Sequence, residues 1–190
     1  PNPKFNFSET ESELARKLVN IIIYTFNGHI KDAKKINDFE FLNEAFSHFV
    51  RDNFRQNIED AQYMTPIEVV NYMVSIGINT LKEQNITKPV VCDPSCGVGS
   101  FLTHFYRMWI DEGFKDVTLV GQDKVDRMAR LSLLNLYLFG IKKANITRGN
   151  SLLSDSPLDD FINKCDLIIT NPPFGARFSF DCSDRKVKEY

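Results

Sequence analysis

The sequence predicts an α/β fold, a parallel sheet with helices on both faces, preceded by N-terminal helices. Two observations carry this reading. From Tyr63 onward, short apolar runs alternate with amphipathic helical patterns, as a strand–helix–strand chain does. A glycine-rich turn, Asp93 to Gly99, stands where the first apolar run meets its helix. The composition allows such a core: of 190 residues, 43% are hydrophobic and 25% charged, and 23 Lys and Arg against 25 Asp and Glu give a net charge of −2. That balance excludes a disordered tail, a collagen-like fibre and a membrane-embedded bundle. It also lacks the basic excess of a surface built to hold nucleic acid by itself.

The elements follow in order. Ser8 and Glu11 form a capping box ahead of Leu14, Leu18, Ile21 and Ile22, and Asn27-Gly28 stops that helix. A second helix starts near Asp38, with Phe39, Leu42, Phe46, Phe49 and Val50 on one face, read as a packing stripe. Thr65-Pro66-Ile67-Glu68 is another capping box, with proline at the first helical position. Val69, Val70 and Met73 make that helix's buried face, and Gly77 is expected to end it. Val90-Val91-Cys92 reads as a buried strand, and Ser100 to Trp109 as a helix burying Phe101, Leu102, Phe105 and Trp109. Val117 to Val120 is the second strand, followed by a long helix to Phe139 that Gly140 closes. Asn145-Ile146-Thr147 starts the third strand. Leu158, Phe161 and Ile162 suggest a short helix before the fourth, Leu167-Ile168-Ile169. The division expected is an N-terminal helical segment, 1–60, and a catalytic core, 61–190.

Cys92, Cys96, Cys165 and Cys182 lack the paired spacing of a zinc site, so no metal is expected and the thiols suit a reducing cytosol. The N-terminus, Pro1-Asn2-Pro3-Lys4, opens no signal peptide, and its missing Met marks a trimmed chain. The aliphatic cluster Val19 to Ile23 is too short to span a bilayer. A soluble, cytoplasmic protein is expected.

In the turn Asp93-Pro94-Ser95-Cys96-Gly97-Val98-Gly99, two glycines let the backbone approach a ligand, though tight turns also use them without one. A dinucleotide fingerprint needs a third glycine where Leu102 stands, so no pyrophosphate cradle is indicated. Asp93 suits a cationic group. Asp123, closing the second strand in Gly121-Gln122-Asp123, can accept from both hydroxyls of a ribose. Together they favour a nucleoside cofactor without pyrophosphate, a description that S-adenosylmethionine meets.

Asn171-Pro172-Pro173-Phe174 follows the fourth strand. The prolines fix two φ angles and leave carbonyls without competing donors. The Asn171 side-chain oxygen and the Pro172 carbonyl can accept both N–H groups of an exocyclic amine and aim its lone pair at a methyl donor. Phe174 offers a face for stacking a base, worth roughly 1–3 kcal/mol.

Gln62-Tyr63-Met64-Thr65-Pro66, Asp93 to Leu102, Gly121-Gln122-Asp123, Gly149-Asn150-Ser151-Leu152 and Asn171-Pro172-Pro173-Phe174 together resemble the adenine-N6 DNA methyltransferases, most closely the modification (M) subunit of type I restriction–modification systems. The order of the motifs is similar to the gamma arrangement of such enzymes. The resemblance implies a Rossmann-like S-adenosylmethionine-dependent methyltransferase fold. It implies transfer of a methyl group to N6 of an adenine flipped out of DNA. Specificity and restriction subunits would be the partners, with neither metal nor membrane. By resemblance, Asn171, Pro172, Pro173 and Phe174 would be catalytic. Tyr63, Thr65, Asp93, Pro94, Ser95, Gly97, Gly99, Phe101, Asp123, Asn150 and Ser151 would bind the cofactor. Thr65 and Asp93 would hold its methionine end, Asp123 its ribose and Asn150 its adenine, although family members usually carry Asp at that last position. Family catalytic domains continue past the Asn-Pro-Pro turn, whereas sixteen residues follow Phe174 here. A fragment with an incomplete sheet and the fourth strand at its edge is therefore expected. The competing readings are a protein-glutamine or RNA methyltransferase, and a cofactor-binding piece inactive alone.

Overall fold

The apolar run at Val90 continues through the first residue of the glycine-rich turn, giving strand β1 (Val90–Asp93). The computed structural model describes Phe46, residues 65–153 and residues 155–173. The chain forms two compact units, Pro1–Arg51 and Asp52–Tyr190, and β1 with the rest of the sheet lies in the second. The helices expected from Ser8 and Asp38, with Tyr63, Phe174 and Cys182, lie outside the described residues, Phe46 excepted.

β2 (Thr118–Asp123) pairs in parallel with one edge of β1, placing Asp93 beside Gly121. β4 (Leu167–Ile168) pairs in parallel with the other edge, and β3 (Asn145–Arg148) lies outside β2. Among the described residues the order is β3-β2-β1-β4, which puts β4 at an edge, and its Ile168 is 64% exposed. Among the described residues three α-helices accompany the sheet: α1 (Ile67–Glu83), α2 (Ser100–Asp111) and α3 (Asp126–Leu138). The chain steps from β1 through α2 to β2, and through α3 to β3, always in one direction. Right-handed crossovers then put both helices on one face, where α1 packs against α2. The return to β4 runs the other way and crosses the opposite face. Among the described residues that face carries a 3-10 helix (Pro157–Phe161), the short helix expected before the fourth strand.

The core lies between the helical row and the sheet. Val70, Val74, Ile78 and Leu81 of α1 meet Phe101, Leu102, Phe105 and Trp109 of α2, above Val91 and Leu119. Trp109 is fully buried, stacks on Phe105 and Phe114, and donates its indole N–H to the Asp116 carbonyl at 3.0 Å. No helix of the described residues is long and apolar enough to cross a membrane.

Several sequence expectations are corrected. Gly77 does not end α1, which runs on to Glu83; a Cβ there would sit 2.7 Å from Leu167 Cδ2, so the glycine serves close packing of helix on β4. Val69 is 43% exposed, because α1 turns Val70 and Val74 inward instead. Ile162 lies beyond the 3-10 turn and is 53% exposed. The capping box at Thr65 is also absent: Pro66 is the cap residue and no side chain bonds the helix start.

Candidate active site

All the turns singled out from sequence leave the carboxyl ends of the strands, where the crevice of an open parallel sheet lies. Asp93 ends β1, Asp123 ends β2, the Gly149-Asn150-Ser151 loop leaves β3, and Asn171 follows β4 by three residues. β4 pairs with β1, so the Asn-Pro-Pro turn emerges beside the glycine-rich turn.

The glycine-rich turn is fastened on three sides. Cys96 N donates to the Gln122 carbonyl at 2.9 Å, Gly97 N to Asp123 Oδ2 at 2.9 Å, and Asn135 Nδ2 of α3 to the Val98 carbonyl at 2.8 Å. Gly97 and Gly99 have φ of +52° and +80°, the left-handed region that favours glycine. Gly99 is also the cap of α2, and a Cβ on it would lie 2.5 Å from Ser132 Oγ. Its bareness thus serves packing within the protein. Phe101, two residues on, is buried in the hydrophobic core.

Both strand-end acids are buried. Asp93 accepts from Ser95 N at 3.1 Å and from the Thr170 hydroxyl. Burial pushes its carboxyl up to about 7, Thr170 and Ser95 pull it back, and the neighbouring Asp123 adds to the rise. Asp123 accepts from Gly97 N and, at 2.8 Å, from Val125 N; burial still raises it, against those two bonds. So Asp123 braces the glycine-rich turn to the start of α3, and its remaining lone pairs stay available to a ligand. Among the described residues no basic side chain acts on either acid.

The loop after β3 is tied to the same turn. Gly149 N donates to the Asp123 carbonyl at 2.9 Å, and Ser151 Oγ donates to the Pro94 carbonyl. Asn150 Oδ1 accepts from Leu152 N at 3.1 Å. Beneath this loop the buried Gln122 Oε1 accepts from Ser156 Oγ at 2.9 Å and Thr147 Oγ1 at 3.3 Å.

Asn171 is half-buried and its two prolines are exposed. Its Nδ2 donates to Thr65 Oγ1 at 3.0 Å, which is where the hydroxyl expected to cap α1 is used. Thr170 Oγ1 and Ser95 Oγ are 2.6 Å apart. Either hydroxyl can be the donor in that pair, and Thr170 also helps to hold the Asp93 carboxyl down.

Three residues of this construction, Thr170, Gln122 and Asn135, escape sequence reasoning. Asn135 has a signal, a polar residue inside the run Leu133-Leu134-Asn135-Leu136. Gln122 lies inside the Gly121-Gln122-Asp123 motif with no role legible there, and Thr170, just past β4, has no signal.

Residues 37–189 match the family described as N-6 DNA Methylase. The chain is 27% identical over 145 residues to the type II methyltransferase M.MamI of Microbacterium ammoniaphilum, covering 71% of this chain and 40% of that protein. It is 29% identical over 139 residues to the type I restriction enzyme MjaVII methylase subunit of Methanocaldococcus jannaschii, covering 72% and 22%. The crystal structure of the type I restriction-modification system methyltransferase subunit from Streptococcus thermophilus shares the fold. Its TM-score is 0.53 at 24% identity, over 62% of this chain and 25% of that one. The chain therefore spans less than half the length of these relatives. With the match extending over most of its residues, it belongs to the N-6 DNA methylase family.

Proposed function

We propose that the protein transfers a methyl group from S-adenosylmethionine to N6 of adenine in DNA, as the modification subunit of a restriction–modification system. The observation that carries this reading is the placement of the Asn171 amide beside the glycine-rich turn, through β1–β4 pairing and the 2.6 Å contact of Ser95 with Thr170. The donor set fits the cofactor. Two buried carboxylates end adjacent strands with no basic side chain acting on them among the described residues, and a cationic ligand would hold both ionised.

Bound there, S-adenosylmethionine supplies a methyl carbon on a positively charged sulfur. Asp93 and Thr65 would hold its amino-acid end, Asp123 its ribose, Gly97 would line it, and Asn150 and Ser151 would lie beside its adenine. Asn171 Oδ1 and the Pro172 carbonyl accept the two N–H bonds of the target amine. The amine lone pair, delocalised into the ring in the free base, is thereby localised on nitrogen and aimed at the methyl carbon. Attack there would break the methyl–sulfur bond with its electron pair left on sulfur, and the surplus N–H proton would pass to solvent. Both acceptors are neutral, so they act by orientation and local field rather than as strong bases. Phe174 would stack the flipped ring.

On this reading residues 61–190 are the methyltransferase core and 1–60 the N-terminal helical segment. Sequence specificity comes from a separate subunit, in keeping with the net charge of −2, and the protein works in the cytoplasm beside its DNA. The test is N6-methyladenine, measured by mass spectrometry of nucleosides from DNA treated with the full-length protein and its specificity partner. Methylation is expected, and its loss in Asn171→Ala. Full-length protein that binds S-adenosylhomocysteine yet leaves adenine unmethylated would overturn the reading.

A further inference from the structure

The amide of Asn171 has two ends of nearly equal shape and opposite chemistry: Oδ1 accepts and Nδ2 donates. Only one orientation serves an amine substrate, whose N–H groups need an acceptor facing them. We infer that Thr65 is a positioning residue that sets this orientation, taking Nδ2 of Asn171 on its hydroxyl and leaving Oδ1 to the incoming amine. The inference deepens the methyl-transfer reading and rests on it.

Counting protons shows when the orientation is firm. A hydroxyl has one proton and two lone pairs. While its proton is uncommitted, Thr65 can rotate and donate instead to an amide turned the other way. Once the proton goes to an acidic group, Thr65 Oγ1 can only accept, and the amide must present Nδ2 to it. The carboxylate at the amino-acid end of the cofactor, held at Thr65 during methyl transfer, is such a group. Filling the cofactor site therefore selects the catalytically useful face of Asn171. The local fold leaves the hydroxyl available for this: α1 is capped at Pro66 without any side-chain bond, so the helix makes no use of Thr65. The bond also joins positions 106 residues apart, the segment before α1 and the turn after β4.

The test uses full-length protein labelled with ¹⁵N at asparagine, with S-adenosylhomocysteine as an unreactive probe. The Asn171 side-chain amide is assigned by its disappearance in Asn171→Ala. The probe is expected to shift that amide in the wild type and in Thr65→Ser, but not in Thr65→Val. At saturating S-adenosylmethionine, Thr65→Val is expected to lower kcat about tenfold, the size of one net hydrogen bond, with KM for DNA unchanged and Thr65→Ser restoring kcat. An Asn171 amide that ignores bound probe in the wild type, or Thr65→Val turning over at the wild-type rate under saturation, would overturn the inference. Wild-type protein that takes up no probe at all would instead overturn the methyl-transfer reading beneath it.

Discussion

The hydroxyls of Ser95 and Thr170, 2.6 Å apart, bridge the glycine-rich turn and the residue just before the Asn-Pro-Pro turn. Thr170 also helps to hold the Asp93 carboxyl down, so it links the two turns to the acid that ends β1. Thr170→Val keeps the shape and removes the link, leaving Ser95 without its hydroxyl partner and Asp93 without the influence of Thr170. The thermal midpoint should fall by a few degrees, matching ~1 kcal/mol for one hydrogen bond. Methyl transfer should slow while Thr170→Ser retains it. Equal rates for Val and Ser would show that the link does not position the turn.

Asp93 gives the protein a pH dependence of definite sign. The folded carboxyl keeps its proton up to about pH 7, whereas the ordinary value is 3.8. Between those limits the folded state binds more protons than the unfolded chain, so stability of the ligand-free protein falls as pH rises from about 4 to about 7 and levels off beyond. Asp93→Asn should abolish that fall. A cationic ligand needs the ionised form, so S-adenosylhomocysteine, whose ammonium remains charged over this range, should bind about tenfold more weakly at pH 6 than at pH 8. Burial of Asp123 acts in the same direction. Calorimetry across that range checks both statements, and an affinity that is flat with pH would contradict them.

Gly99→Ala should destabilise the core from the cap of α2, where it faces Ser132 of α3. The left-handed φ of +80° costs an L residue about 1–2 kcal/mol, and the new Cβ would press on Ser132 Oγ at 2.5 Å. Adding Ser132→Ala should recover the contact part and leave the backbone part. Urea midpoints of the two variants separate these contributions. Full recovery in the double variant would mean that the backbone carries no strain.

Trp109 anchors the helical row between Phe105 and Phe114. Trp109→Ala should cost about 3–5 kcal/mol, a large share of the stability of an ordinary domain. Trp109→Phe keeps apolar contact but leaves the Asp116 carbonyl without its indole donor, for about 1 kcal/mol. Denaturation midpoints in that order, wild type above Phe above Ala, are the expected result.

Much of this molecule is legible in its residues, and the failures have a common cause. The strands and helices from Val90 to Leu138 follow from apolar periodicity, which local burial enforces residue by residue. Gly77 and Thr65 mislead because each has a strong local meaning, a helix stop and a helix cap, that a distant neighbour overrides. Leu167 needs the space above Gly77, and Asn171 uses the hydroxyl of Thr65. Thr170 and Gln122 are invisible for a related reason, since a polar side chain in a strand shows nothing of its partners until the strands are aligned.

By itself, then, the sequence determined the order of elements, the turns at the strand ends and the family to which they belong, because these depend on spacing along the chain. Tertiary structure alone decided which side chains meet across it: Ser95 with Thr170, Thr65 with Asn171, and Asp123 with Gly97. Each of those bonds forms between segments brought together by strand pairing and helix packing, and hydrogen-bond geometry, at a few ångströms, is set only once the backbone has closed around it.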